Sequence, residues 1–252
     1  MPLLNWARTN KLLRLIKMEY QRWSLNPKPL QVLSNYLVND DIETVVDAGA
    51  NIGQFASELR FFGYKNRIIS LEPSKSVFKT LNIRAKKDKY VSWAAYNIGI
   101  SDKTESIVLN ISGNFGLSSS ILKMKKIHEE NFPSSKYIDS EEIQVFSLDA
   151  IIEKYKILPN KSVLKLDLQG LEWRVLSSHP VIISNFAYIY FESSIKSLYE
   201  DEQTFSKLVT LLDSYDHDII EIFRGLNDFN GNLLQIDVLT KSRRLIHDFE
   251  IH

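Results

Sequence analysis

The 252-residue chain has no cysteine, no net charge and only nine glycines, with 31 basic side chains set against 31 acidic ones. Without thiols there can be no disulfide framework, no zinc-finger or iron–sulfur ligand set, and no cysteine nucleophile. Balanced charge argues against bulk nucleic acid as the main partner, because phosphate backbones call for a basic footprint. No apolar run approaches the ~18 residues needed to cross a bilayer, so no membrane span is expected. The first 23 residues also lack the unbroken apolar core of a secretory signal. Arg8, Lys11, Arg14, Lys17 and Arg22 interrupt it, and the expected location is the cytoplasm. Glycine stands at about half of its roughly 7% average usage, which makes the place of each one informative.

What is present reads as an ordinary globular chain, long enough for one large domain or two small ones. Leu12, Ile16, Tyr20 and Trp23 form one apolar stripe at helical spacing, compatible with a helix capping the main domain or with one lying on a membrane surface or partner. Pro27 and Pro29 stop that helix, so residues 1–40 are expected as an N-terminal helical cap and 41–252 as the main domain. From residue 42 short β-branched runs alternate with helical segments. Strands are expected at 42–46, 67–71, 90–96, 105–111, 143–148, 162–168 and 186–191, with a closing hairpin of 219–223 and 234–239. This alternation implies an α/β fold with a mostly parallel sheet, helices on both faces and an antiparallel edge strand. Residues 112–141 are polar and weakly periodic. They are expected as a loop or lid insertion.

Two of the nine glycines fall in Asp47-Ala48-Gly49-Ala50-Asn51-Ile52-Gly53, after the first sheet strand and before a helix. Ligands of open α/β sheets bind outside the carboxyl ends of the strands, where glycine lets the backbone turn and approach closely. The dinucleotide fingerprint is absent, since its later glycines are replaced by Asn51 and Gln54. Asp47 would be an odd neighbour for phosphate but suits a ligand bearing an ammonium or hydroxyls. Glu72, at the tip of the second strand in Leu71-Glu72-Pro73-Ser74, is placed to accept from both hydroxyls of a ribose. An adenosine-type ligand without an obligatory phosphate fits, and S-adenosylmethionine meets that description.

These residues resemble the FkbM-type methyltransferases, a branch of the class I S-adenosylmethionine-dependent fold, over about residues 44–193. Val45-Val46-Asp47-Ala48-Gly49-Ala50-Asn51-Ile52-Gly53 is similar to the family's first motif, and Ile69-Ser70-Leu71-Glu72-Pro73 to its ribose-binding strand end. Asn97-Ile98-Gly99-Ile100-Ser101-Asp102 resembles the segment near the adenine. Ser118-Ser119-Ser120 resembles a serine-rich loop, and Ser147-Leu148-Asp149 the Leu-Asp before a short helix. Lys165-Leu166-Asp167-Leu168-Gln169-Gly170-Leu171-Glu172 is similar to the most specific signature, with Gln169 where the family often carries Glu. The resemblance implies a Rossmann-like, seven-stranded class I methyltransferase fold. It also implies methyl transfer, usually to oxygen on a sugar, polyketide or other natural-product acceptor. Cofactor contacts are then expected from Asp47, Gly49, Asn51, Gly53, Glu72, Pro73, Ser74, Asn97 and Ser119.

Methyl transfer to a hydroxyl needs a group that accepts the proton as the oxygen attacks. Asp167 and Glu192 each end a buried strand, so a parallel sheet brings both to one rim. Asp167 is the expected base or orienting group, with Glu192 and Glu172 assisting. A divalent cation held by Asp167 and Glu192 is compatible with the sequence but nothing requires one, and no histidines have the spacing of a metal pair. From Glu192 to Glu221 there are eight acids and two lysines, whereas residues 1–28 carry six bases and one acid. Opposed faces of this kind fit mutual packing or a homodimer contact. The expected partner is a small-molecule or glycan acceptor. Transfer to nitrogen or RNA, or a non-catalytic nucleoside-binding module, are the competing readings.

Overall fold

The computed structural model describes residues 28–90, 92–114 and 116–247. The expected helix over residues 1–23 lies outside them. The chain runs α1 (Pro29–Asn39), β1 (Thr44–Ala48), α2 (Gln54–Phe61), β2 (Arg67–Leu71), α3 (Lys75–Lys86) and β3 (Trp93–Tyr96). It continues with β4 (Gly99–Ser101), β5 (Glu105–Ser112), α4 (Lys126–Asn131), β6 (Tyr137–Ser147), α5 (Leu148–Tyr155), β7 (Ser162–Leu166) and α6 (Glu172–Ser178). The last elements are α7 (Pro180–Ile183), β8 (Tyr188–Ser194), α8 (Phe205–Asp213), β9 (His217–Arg224), β10 (Gln235–Ser242) and α9 (Arg243–His247). No helix among the described residues is long and apolar enough to cross a membrane.

A seven-stranded sheet has the order β3-β2-β1-β7-β8-β10-β9. It is parallel from β3 to β8, and β10 runs antiparallel between β8 and the edge strand β9. The closing hairpin expected from the sequence is therefore β9–β10, with its second strand inserted one place in from the edge. β1 and β7 are buried along their whole length, which is why they are mostly apolar without alternation, and why the charges they do carry, Asp47 and Lys165, pair with each other. One core lies between the sheet and α5–α8, including Leu148, Ile151, Val175, Leu176, Leu208 and Leu212. The other lies beneath α1–α3, where Leu33, Leu37, Ala56, Leu59, Leu81 and Ala85 are packed. The described part of the expected 1–40 cap is thus α1, seated in the core. Pro29 opens that helix, at a position where a missing N–H costs no intrahelical bond.

β4, β6 and β5 form a second, three-stranded sheet that the sequence did not reveal as a unit. The connection expected over 112–141 is shorter than anticipated, because β5 extends through Ser112 and β6 begins at Tyr137. Residues 138–140 at the start of β6 are exposed and mostly polar, so they lack the alternation by which a strand is recognised. The remaining stretch, 113–136, packs over the sheet rim through Leu122 and Met124, which join Leu171, Leu198, Tyr199 and Leu234 in a small core of their own.

Register positions the chemistry. Ala48 pairs with both Leu71 and Leu166, and Leu166 pairs with Phe191. The residues that follow these partners, Gly49, Glu72, Asp167 and Glu192, therefore stand side by side along one rim. Asp237 of β10 is the register partner of Glu192.

Candidate active site

The turn from β1 into α2 carries positive φ at Gly49 (+73°), Asn51 (+47°) and Gly53 (+87°). A Cβ on Gly49 would lie 1.9 Å from the backbone oxygen of Asp167, so only glycine lets the β1 turn sit against the end of β7. Gly53 serves a different contact. Its Cβ would meet Leu81 and Trp93 at 2.9 Å, so it admits α3 and β3 rather than a ligand.

Glu72 is buried, and both carboxylate oxygens are engaged by the turns around it. Oε2 accepts from the Asn51 N–H (2.8 Å) and Oε1 from the Ser74 N–H (2.9 Å). Burial pushes its carboxyl up to about 7, against the opposing pull of those two donors. Asn97 donates to the carbonyl oxygens of Glu72 (3.0 Å) and Pro73 (2.8 Å), bracing the strand end from behind. Ser74 is likewise buried beside Glu72. Ser74 and Asn97 thus hold Glu72 in place.

Asp47 corrects the expectation of an open acid waiting for a ligand's ammonium. It is fully buried, accepts from Ser70 Oγ (2.9 Å), and is paired with Lys165 Nζ at 3.2 Å. Lys165 also donates to the Gly49 carbonyl (2.8 Å) and lies 3.7 Å from Asp167 Oδ2. Burial alone would push the ammonium down, but the Asp47 and Asp167 carboxylates hold it above the ordinary lysine value. The signal for this role was visible as a lone charge inside the apolar run Val163-Leu164-Lys165-Leu166, since lysine is rarely buried without a partner.

Asp167 and Glu192 do meet, through a residue that sequence reasoning set aside. The Gln169 amide donates to Asp167 Oδ1 (2.6 Å) and to Glu192 Oε2 (3.0 Å). Gln235 donates to the same Glu192 oxygen at 3.0 Å. Burial, together with Asp167 and Asp237, raises the Glu192 carboxyl well above the usual range. Burial and Asp167 also push Asp237 up to about 6. Glu172 does not join this pair. Its two oxygens accept from the N–H groups of Leu168 (2.7 Å) and Gly170 (3.0 Å), tying the turn that carries Gln169. Its expected assisting role in chemistry is replaced by that of a loop tie. Among the described residues no group of three or more His, Asp or Glu side chains is arranged to hold a metal ion. The Gln169 amide bridges Asp167 and Glu192.

Two hollows open on this rim. A narrow, mostly apolar slot of about 80 Å³ runs between Glu72, Pro73, Gly99, Ile100 and the second sheet's Ile107, Leu109, Ile143 and Val145. Ser119, which accepts from the Ser112 N–H (3.1 Å), and Gln169 close its other end. A wider cleft of about 560 Å³ is lined by Phe55, Glu58, Lys165, Tyr190, Glu192 and Asp237. Gly49, Asn51, Leu117 and Asp167 border both hollows.

Strand order, the glycine turn and the row of rim carboxylates together define a class I methyltransferase fold. Residues 47–225 match the model of the methyltransferase FkbM domain, and the chain belongs to that family. It is 22% identical over 182 residues to "Methyltransferase 1" of Beauveria bassiana, covering 69% of this chain and 72% of that one. A crystal structure of methyltransferase FkbM from Methylobacillus flagellatus is similar with a TM-score of 0.48 at 16% identity. That match covers 79% of this chain but only 44% of the Methylobacillus chain. Magnesium protoporphyrin IX methyltransferase from Synechocystis, solved with S-adenosylmethionine bound, gives a TM-score of 0.44 at 11% identity, over 84% of this chain and 77% of the other.

Proposed function

We propose that the chain transfers the methyl group of S-adenosylmethionine to a hydroxyl of a sugar, glycan or other small natural-product acceptor. The observation that carries this reading is the rim itself: one slot and one cleft share Asp167, with Glu192 beside it. The slot suits an adenosine. A Cβ on Gly99 would come within 2.9 Å of Val145, so glycine lets β4 close onto β6, and the apolar slot bordered by Gly99, Ile100 and Val145 suits a base. Glu72 stands at the slot wall with its carboxylate already oriented by two backbone N–H groups, ready to accept from ribose hydroxyls. Gly49 and Asn51 lead from the slot to the cleft and would border the methionine part.

When bound, S-adenosylmethionine supplies a methyl group activated by its sulfonium. The chain's own task is to hold an acceptor oxygen in line and to take its proton. Glu192 takes the role of proton acceptor, because burial and its neighbours Asp167 and Asp237 raise its carboxyl. Asp167 stands 3.7 Å from the Lys165 ammonium. Asp167 then orients the acceptor hydroxyl, and the proton passes to Glu192 as the new C–O bond forms. The acid-lined cleft offers acceptor oxygens for a ligand rich in hydroxyl donors.

Thermal-shift titration with S-adenosylmethionine and S-adenosylhomocysteine tests the cofactor, and a methyl-transfer screen over sugar nucleotides, glycans and polyketides tests the acceptor. Stabilisation by both nucleosides is expected. Asp167→Asn and Glu192→Gln should each lose turnover by ~100-fold or more, in the range of lost acid–base catalysis, while binding the cofactor within a few fold of the parent. The absence of any shift at millimolar nucleoside would remove the reading.

A further inference from the structure

Gln169 adopts φ +53°, a left-handed conformation uncommon for a residue with a Cβ, in the turn between β7 and α6. Four hydrogen bonds hold it there. Nε2 donates to Asp167 Oδ1 (2.6 Å) and Glu192 Oε2 (3.0 Å). Oε1 accepts from the Tyr199 hydroxyl (2.8 Å), and the backbone oxygen accepts from Ser120 Oγ (2.8 Å). The direction of the amide follows from chemistry, because ionised carboxylates only accept and Tyr199 provides the donor that the amide oxygen needs. Turned the other way, the amide oxygen would face two carboxylates. Tyr199 is itself fully buried, with its ring edge-on to His128 of α4 at 5.3 Å, so the cover of the site sets the angle of the amide.

We infer that Gln169 is a positioning residue: its amide clamps Asp167 and Glu192 side by side as hydrogen-bond acceptors and so fixes the pair while the acceptor is oriented and deprotonated. The two bonds oppose the burial and neighbouring acids that push the Glu192 carboxyl up. The inference rests on the proposed methyl-transfer reading for its purpose, but the clamp is a property of the chain alone. Lys165 on β7, with Asp47 of β1 beneath it, faces the Asp167 side of the pair. Asp237 on β10, Glu172 on α6 and Tyr190 on β8 face the pair from the other elements packed around it. Lys28 also lines this cleft, and the N–H donors of Gln169, with that of Gln235 on Glu192, add to the cations in offsetting the clustered acids.

Gln169→Glu is the discriminating variant, since it keeps shape and exchanges two donors for a third carboxylate. Carboxyl ¹³C NMR titration of the unliganded protein, with signals assigned through Asp167→Asn and Glu192→Gln, should show the upper transition of the pair moved up by about one pH unit or more. In methyl transfer, kcat at neutral pH should fall by ~10-fold or more and recover as pH rises, with the cofactor KM within about threefold. Tyr199→Phe frees the amide to turn, and should move the same transition upward by a smaller amount. That variant keeps the inference testable if Gln169→Glu does not fold. An unchanged titration in the folded variants would overturn the clamp. Failure of the parent to bind S-adenosylmethionine would overturn the functional reading instead, leaving the titration result standing.

Discussion

The closest backbone approach in the site gives a quantitative test. Gly49→Ala would add a Cβ at 1.9 Å from the Asp167 backbone oxygen, whereas real Cβ contacts essentially never fall below 3.0 Å. The β1 turn and the end of β7 must therefore separate by about 1 Å, and the new residue must also sit at φ +73°. Gly231→Ala isolates the second cost. Its φ is +81°, but no atom lies within 4 Å of the added carbon. The left-handed conformation alone costs roughly 1–2 kcal/mol. Forced overpacking adds about 1–3 kcal/mol. For a domain of this size each kcal/mol lowers Tm by roughly 2–4 °C. Gly231→Ala should lose about 2–8 °C and keep full activity. Gly49→Ala should lose about 4–20 °C, and turnover should fall by ~100-fold, as expected when reacting groups shift by 1 Å. Calorimetry and single-turnover methyl transfer on both variants provide the comparison. Equal thermal losses, or undiminished turnover in Gly49→Ala, would refute the close packing of turn and rim.

Three further outcomes follow from the same geometry. The Glu72 carboxyl ionises at about 7 in the folded chain, and only the ionised form accepts from both ribose hydroxyls. Affinity for S-adenosylhomocysteine should therefore rise as pH increases through 7 and level off above 8. In Glu72→Gln it should be weaker and flat with pH, as read by isothermal titration calorimetry. Lys165→Met leaves Asp47 as an uncompensated buried charge, at a cost of about 3–5 kcal/mol in urea denaturation. Adding Asp47→Asn should recover most of that loss, and equal stabilities of the single and double variants would count against the ion pair. EDTA should leave turnover unchanged, because the Asp167–Glu192 gap is spanned by the Gln169 amide.

The large sheet was legible because its strands are written as β-branched runs long enough to be buried on both faces, and because helices separate them. Of the second sheet, β5 and the end of β6 were legible as strands, but β4 and the exposed, polar start of β6 were not, so the sheet was not seen as a unit. For the site, strand-end position sufficed to bring Asp167 and Glu192 together, and Gly49 beside them. It could not distinguish Asp47, Asn97 and Glu172, whose polar groups are spent on this chain's own lysine and backbone. Separating an acid that faces a cavity from one that ties a turn needs the third dimension. Gln169 was hidden for another reason: its importance lies in what its amide touches, and although Asp167 is two residues away, Glu192 and Tyr199 become its neighbours only in the folded chain.

Register along the rim also acts as a ruler. β1, β7 and β8 are consecutive in the sheet, and hydrogen-bonded strands stand ~4.8 Å apart, so Gly49, Asp167 and Glu192 mark even steps over about 10 Å. Those steps are set by backbone ladders that no surface substitution can stretch. Any drift toward new acceptors must then be drawn in the covering residues and in the walls of the cleft, while the spacing of Gly49, Asp167 and Glu192 stays constant. Grafting a different cover onto this floor should redirect the choice of acceptor and leave the distance over which the methyl group travels as it is.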